Sequence, residues 1–63
     1  MSVGAKLREL RGDRTQLEVA IGVGISKSAL AMYENDRRIP RDEVKVRLAN
    51  YYGQSVQYIF YTN

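Results

Sequence analysis

Residues 21–40 read IGVGISKSALAMYENDRRIP, and this stretch predicts two short helices joined by a tight turn. Gly24 supplies the positive φ angle that ends the first of these helices, because glycine adopts left-handed conformations without strain. Ser26 is a favourable N-cap for the helix that follows, in which Leu30 and Tyr33 lie one turn apart. The sequence therefore predicts one helix that ends at Gly24 and a second helix that begins directly after Ser26.

Two helices are predicted before the turn. The first has an apolar stripe at i, i+4 and i+7, formed by Val3, Leu7 and Leu10. Gly12 lies just beyond this stripe and is a natural terminator. Thr15 and Glu18 have the spacing of a capping box, so we expect the second helix to begin at Thr15. Its predicted core face consists of Val19, Ala20 and Val23.

Two more helices are predicted after the turn. Pro40 can open a helix, and apolar residues recur behind it at i, i+4, i+7 and i+8, namely Val44, Leu48, Tyr51 and Tyr52. Gly53 ends this helix, and Ser55 caps a last short one that carries Val56, Ile59 and Phe60. Since no segment alternates as a strand does, the sequence predicts an all-α fold of five helices, with residues 1–63 forming a single domain.

The amino-acid composition excludes several classes of function for this protein. The 63 residues include no Cys and no His, which excludes disulfides, thiol chemistry and zinc fingers. No set of acid, base and nucleophile is visible, so we expect no enzyme, no catalytic residues, no cofactor and no metal. Ten Lys and Arg against seven Asp and Glu give a net charge of +3, which favours a polyanionic partner. Without an apolar membrane span or a secretory signal, we expect a cytoplasmic location.

Two short helices joined at Gly24, the second with a polar first turn, have the architecture of a helix-turn-helix. From residue 15 to residue 40 the chain resembles, without a gap, the phage-repressor and Cro-type (XRE-type) DNA-binding domains. The matching residues are Thr15-Gln16, Val19-Ala20, Gly24-Ile25-Ser26, Leu30, Tyr33-Glu34 and Pro40. Residues 7–11 and 51–60 look like the family's first helix and closing segment.

This resemblance implies a compact, five-helix, lambda-repressor-like domain whose second and third helices form the helix-turn-helix. It also implies a sequence-specific regulator of bacterial or phage origin, a repressor by expectation. Such a regulator would act on double-stranded operator DNA in the nucleoid, as a homodimer at least when bound to DNA. A protein-binding module of the same fold, such as an antitoxin, is the alternative.

The resemblance assigns base readout to the third helix, whose first turn enters the major groove in this family. The residues at the base-reading positions are Lys27, Ser28, Ala31 and Met32. Lys27 can donate to guanine, and Ser28 can donate or accept. Ala31 and Met32 can contact a thymine methyl group. The alternative interpretation is that Lys27 and Ser28 form only a solvated helix start.

Phosphate contacts are expected at both ends of the helix-turn-helix. Gln16 matches the family's phosphate-binding glutamine at the amino end of the second helix, where free backbone amides add partial positive charge. The polar residues expected to reach the flanking backbone after the third helix are Asn35, Arg37, Arg38 and Arg41. For the arginines, a solvated loop is the alternative. The resemblance also implies an ion pair between Arg11 and Glu34 that holds the third helix against the first.

Aromatic residues are concentrated near the end of the chain. Three of the five tyrosines fall on helical stripes, which favours core packing over base stacking: Tyr33, Tyr51 and Tyr52. The closing segment lies where this family often dimerises. The residues expected to form a dimer or partner surface there are Tyr58, Ile59, Phe60 and Tyr61.

The sequence departs from the family pattern in three places. The link from Arg11 to Gln16 is shorter than usual. Asp36 replaces a glycine, although aspartate can adopt the left-handed conformation that this position needs. Leu17 and Ile21 stand where polar residues are usual. They either pack on a rotated first helix or form an apolar patch for a partner protein.

Overall fold

The structure is a computed structural model that describes residues 2–62, and the regular secondary structure in that range is entirely helical. The helices are α1 (Val3–Arg11), α2 (Gln16–Val23), α3 (Lys27–Glu34), α4 (Asp42–Tyr52) and α5 (Val56–Phe60). The prediction of five helices is confirmed, although α4 begins at Asp42 with Arg41 as its N-cap and Pro40 lies just outside it. Within residues 2–62 no helix is long and apolar enough to cross a membrane.

Hydroxyl side chains cap the amino ends of four helices. Each hydroxyl accepts a hydrogen bond of 3.0 Å from the backbone amide three residues further on, and the capping residues are Ser2, Thr15, Ser26 and Ser55. Each cap of this kind contributes about 1 kcal/mol to helix stability. The three caps predicted from the sequence are therefore confirmed, and they fix where α2, α3 and α5 begin.

Left-handed residues end three of the helices. Gly24 (φ 84°) ends α2 and Gly53 (φ 66°) ends α4, as the sequence predicts. Asp36 (φ 58°) follows α3 and takes the conformation that a glycine usually supplies. Its neighbour Arg37 donates its amide to the Met32 carbonyl at 2.9 Å, which closes the end of α3.

The core lies between all five helices. Helix α1 packs on α3 and α5, α2 packs on α3 and α4, and α4 packs on α5. The buried apolar residues are Leu7, Val19, Ala20, Val23, Leu30, Tyr33, Val44, Leu48, Ala49 and Ile59. This set confirms the predicted core faces, and the half-buried Tyr51 and Tyr52 pack against its edge. The described chain measures 26 × 22 × 20 Å.

Lys6 departs from the expected pattern, because the sequence placed it outside the apolar stripe of α1. The side chain is buried, with 7% of its surface exposed. Its Nζ donates to the carbonyls of Tyr58 at 2.8 Å and Thr62 at 3.1 Å, and it lies 4.7 Å from the centre of the Tyr58 ring. Lys6 therefore ties the first helix to the end of the last one.

Helix α2 has an apolar outer face and a close contact with α4. Leu17 and Ile21 are 54% and 72% exposed, so the expectation that they pack on a rotated α1 is wrong. Gly22 lies against the ring of Tyr51, and a Cβ atom at this position would collide with that ring. The glycine weakens α2 locally but allows the two helices to approach closely.

Candidate nucleic-acid interface

The first turn of α3 presents polar side chains to solvent. Ser26 caps the helix with its hydroxyl 3.0 Å from the amide of Ala29, so the chain enters α3 in a defined direction. Lys27 and Ser28 are exposed on the first turn, and Ala31 and Met32 are half-buried one turn further along. The four residues expected to read bases lie at i, i+1, i+4 and i+5, so they share one face of the helix.

The opposite face of α3 anchors it in the core. Leu30 is fully buried, Tyr33 is 7% exposed and Glu34 is 1% exposed. Gly24 places α3 directly after α2, and the amides of Gly24 and Ile25 both donate to the Ala20 carbonyl, at 2.9 and 3.0 Å. Helix α3 is thus held rigidly from one side while its other side is free to contact a partner.

The segment after α3 carries a cluster of exposed cations. The side chains of Arg37 and Arg38 form no hydrogen bond or ion pair with any other part of residues 2–62 and are exposed to solvent. Arg41 is 83% exposed and lies 3.6 Å from Glu43, a separation typical of a weak surface pair. Asn35 is also exposed, and its Nδ2 donates to the Ala31 carbonyl at 2.8 Å. These four side chains are available to a polyanion next to the exposed face of α3.

Asp36 orients this cationic segment relative to α1. Its Oδ1 accepts a hydrogen bond of 2.9 Å from the amide of Gly4, one of the free donors in the first turn of α1. Hydrogen bonds from the Ser2 hydroxyl and the Gly4 amide, with the nearby Arg8 charge, hold the pKa of Asp36 below its usual range. The substitution of aspartate for glycine therefore adds a contact between the segment and α1.

The ion pair between Arg11 and Glu34 was expected, but the close approach of Gly4 to the end of α3 was not apparent from the sequence. A Cβ atom at Gly4 would collide with the backbone carbonyl of Glu34, so glycine is required for this approach. The Arg8 guanidinium donates to the same carbonyl. A glycine in the first turn of a helix was the available signal, but its partner lies 30 residues away in the chain.

Glu34 is the centre of a buried polar cluster. The guanidinium of Arg11 donates two hydrogen bonds to the Glu34 carboxylate. Its Nε lies 2.8 Å from Oε2, and its Nη2 lies 3.1 Å from Oε1. The hydrogen bond to Glu34 raises the pKa of Arg11, so the guanidinium keeps its charge. Gln16, which was expected to contact phosphate, lies in the first turn of α2 and donates its Nε2 to Glu34 Oε1 at 2.9 Å. One carboxylate thus joins α1, α2 and α3.

Tyr52 lies beside this cluster and has a buried hydroxyl that meets no hydrogen-bonding partner in residues 2–62. Burial raises its pKa to about 12, and the nearby Glu34 carboxylate contributes in the same direction. The guanidinium of Arg14 lies 5.3 Å from the centre of the Tyr52 ring, which holds the ring in place. The Tyr52 hydroxyl has therefore lost its hydrogen bonds to water without gaining one from residues 2–62 of the protein.

We predict that Tyr52→Phe raises the free energy of unfolding by about 1 kcal/mol, because the variant removes an unpaired buried hydroxyl and keeps the ring. Urea denaturation followed by circular dichroism measures this change. Tyr61→Phe is the matched control, since the Tyr61 hydroxyl is exposed and bonds Lys45 Nζ at 2.8 Å. A lower free energy of unfolding for Tyr52→Phe would contradict the prediction.

The closing segment forms only part of the surface expected there. Tyr58 and Tyr61 are 41% and 57% exposed, whereas Phe60 is half-buried against the core. Ile59 is fully buried, so the expectation that it lies on a dimer or partner surface is wrong. It points inward because its i−3 neighbour Val56 packs against the same core.

An apolar groove of about 340 Å³ lies beside the closing segment. Its lining combines the start of α1, the segment after α3 and the end of α5, and includes Val3, Ile39, Pro40, Phe60 and Tyr61. Ile39 is 79% exposed at its edge. Sequence reasoning missed Ile39, because a single apolar residue in the short segment between α3 and α4 has no helical periodicity to mark it.

The described residues 2–62 contain no group of acidic residues placed to hold a metal ion. The polar groups instead fall into two sets: the exposed cations and amides around α3, and the buried cluster around Glu34. Exposed positive charge can bind a polyanion, and a rigid helix face next to it can make contacts that depend on the shape and chemistry of that polyanion.

Comparison with known proteins identifies similar chains. A family model described as "Helix-turn-helix" matches residues 5–59. The cryptic phage CTXphi transcriptional repressor RstR of Vibrio cholerae is 39% identical over 51 residues, which cover 78% of this chain and 46% of that protein. The HTH-type transcriptional regulator ImmR of Bacillus subtilis (strain 168) is 36% identical over 61 residues, covering 94% of this chain and 48% of that protein. The chain thus spans about half the length of these relatives.

Proposed function

Because the chain belongs to the helix-turn-helix family of DNA-binding domains, we propose that it binds an operator in double-stranded DNA and regulates transcription, most simply as a repressor. The observation that carries this proposal is the exposed first turn of α3, with Lys27 and Ser28 on a helix held rigidly from its other side. Repression follows if the bound protein occupies DNA that the polymerase needs. The proposal is a binding function in the nucleoid, without catalysis.

In this proposal α3 enters the major groove and contacts the bases, while other residues contact phosphates and position the protein on the DNA. Lys27 donates to the O6 or N7 atom of guanine, Ser28 donates or accepts, and Ala31 and Met32 contact thymine methyl groups. The phosphate contacts come from Gln16 and from the exposed residues after α3, namely Asn35, Arg37, Arg38 and Arg41. Support comes from the lack of competing partners for Arg37 and Arg38 among residues 2–62.

Selection from a random duplex library, followed by a salt titration on the selected site, tests the proposal. Each neutralised phosphate contributes about 0.9 to the slope of log affinity against log salt, so the three arginines imply a slope of about −3 per protomer. Arg38→Ala is expected to reduce this slope by about 1. Failure to enrich any duplex, or an affinity that does not change with salt, would exclude the proposed function.

We further propose that two copies bind a two-fold operator through the groove beside the closing segment. Pairing half-sites about 34 Å apart multiplies the contacts of a domain this small. Support comes from Ile39, an exposed apolar side chain next to an apolar groove, since a self-complementary surface needs both a projection and a recess. Arg38 borders the groove, so pairing here would also fix the spacing of the phosphate contacts.

Sedimentation on the selected duplex tests this dimer with Ile39→Asp. We expect the variant to form a 1:1 complex where the wild type forms a 2:1 complex. Ile21→Asp is the matched control, because Ile21 is comparably exposed but lies on α2, away from the groove. A 2:1 complex with Ile39→Asp would place the dimer contact elsewhere.

A second candidate function is a protein-binding module of the same fold. It is favoured by Leu17 and Ile21, which are 54% and 72% exposed on neighbouring turns of α2. In that case Ile21→Asp would abolish binding to a partner protein without changing duplex affinity. An antitoxin would combine both activities, with α3 on DNA and α2 on the partner.

A further inference from the structure

The side-chain amide of Gln16 has a fixed orientation. Its Nε2 lies 2.9 Å from Glu34 Oε1, and a carboxylate only accepts hydrogen bonds, so the amide nitrogen faces Glu34. Glu34 is itself immobilised, because it is 1% exposed and is bound by Arg11 through both oxygens. The rotamer of a half-buried glutamine is thus set by a buried side chain on another helix.

This contact leaves part of the amide free. An amide nitrogen carries two N–H donors, and one of them serves Glu34. The second N–H has no partner within residues 2–62, and it lies in the first turn of α2, where the backbone amides of Gln16 and Leu17 also lack helical acceptors. Three N–H donors are therefore grouped at the amino end of α2.

We propose that Glu34 is a positioning residue for phosphate binding, which directs the free N–H of Gln16 toward a phosphate oxygen. This inference rests on the proposed function, because it concerns the duplex that α3 would bind. The contact offers a preorganised donor, so the side chain loses little conformational freedom when the phosphate arrives.

The charge of Glu34 is compatible with this role. A lone buried carboxylate near a phosphate would repel it, but the Arg11 guanidinium lies within 2.8 Å and cancels the charge. Arg11 also donates its Nη1 to the carbonyl of Arg14 at 3.0 Å, in the link that leads to α2. Arg11 thus neutralises Glu34 and helps to place the start of α2.

A methylphosphonate scan of the selected duplex tests the proposal, since each substitution removes the charge of one phosphate. For the wild type, we expect about tenfold weaker binding when the phosphate beneath α2 is neutralised, the effect of one charge-assisted hydrogen bond. Gln16→Ala should lose this sensitivity at that phosphate alone. Glu34→Gln should reduce it there and leave the sensitivity at the phosphate of Arg38 unchanged. Gln57→Ala, an exposed glutamine on α5, is the matched control.

The outcomes separate the two proposals. If the wild type binds no duplex, the proposed function fails. If it binds and Glu34→Gln keeps full sensitivity at the Gln16 phosphate, the positioning role is excluded. The same conclusion follows if this variant reduces the sensitivity evenly at every phosphate, because a purely structural role would have that effect.

A measurement on the wild type covers the case in which Glu34→Gln does not fold. The side-chain amide of Gln16 is identified in the NMR spectrum by its loss in Gln16→Ala. On adding duplex, we expect one amide proton to move downfield while the proton held by Glu34 keeps its shift. If both protons are unaffected while the backbone amides of the first turn of α2 shift, the inference is wrong.

Discussion

Replacing Arg11 with alanine will lower the free energy of unfolding by about 3 to 5 kcal/mol. The variant leaves the Glu34 carboxyl group 1% exposed and without its bidentate partner, and the remaining side-chain contact from Gln16 cannot replace a guanidinium. A helical domain of this size has a total stability of about 3 to 5 kcal/mol. We therefore expect Arg11→Ala to be largely unfolded at 25 °C, as measured by circular dichroism and urea denaturation.

Two controls define the cause of this loss. Arg41→Ala removes a surface arginine whose pair with Glu43 is solvated, and should leave the urea midpoint unchanged. The double variant Arg11→Met with Glu34→Met replaces the pair by apolar groups and should be more stable than Arg11→Ala alone. If Arg11→Ala costs no more than Arg41→Ala, the buried pair does not hold α1 and α3 together.

Replacing Lys27 with alanine will weaken binding to the selected duplex by about 1 to 3 kcal/mol and relax base preference at one position. The reason is that Lys27 lies exposed on the first turn of α3, which in our proposal meets base edges rather than phosphates. Repeating the duplex selection with the variant measures this, because base frequencies change at the affected position and stay constant elsewhere.

Arg38→Ala is the matched comparison for Lys27→Ala. Arg38 is exposed after α3 and contacts phosphate in our proposal, so its loss should weaken all duplexes equally. Both side chains lack ion pairs within residues 2–62, so neither variant should change the melting temperature. Uniform loss of affinity in both variants would refute the division between base readout and phosphate positioning.

Much of the secondary structure could be predicted because its determinants are local. The hydroxyls of Thr15, Ser26 and Ser55 bond amides three residues away, and Gly24 and Gly53 end helices through their own φ angles. The exposed residues of α3 were likewise assigned from their place in a matching motif. These features depend on residues that are close in the chain, so they can be predicted from the sequence.

Other residues were placed incorrectly or left unexplained because their partners are distant. Lys6 lies outside the predicted apolar stripe of α1, but it reaches carbonyls 52 and 56 residues away. Ile59 was assigned to a surface, but its direction depends on how α5 packs. Gly22 had no local explanation until the ring of Tyr51 was found against it. Periodicity reports which face of a helix is apolar, but not which helix lies across from it.

The sequence by itself determined five helices, the caps of α2, α3 and α5, the turn at Gly24 and the polar first turn of α3, because each depends on hydrogen bonds and periodicities within a few residues. Only the tertiary structure decided that Gln16 joins the Arg11–Glu34 pair implied by the resemblance, and that Asp36 binds the amide of Gly4. These contacts join residues 18 to 32 positions apart, and such distances close only when apolar burial brings the helices together.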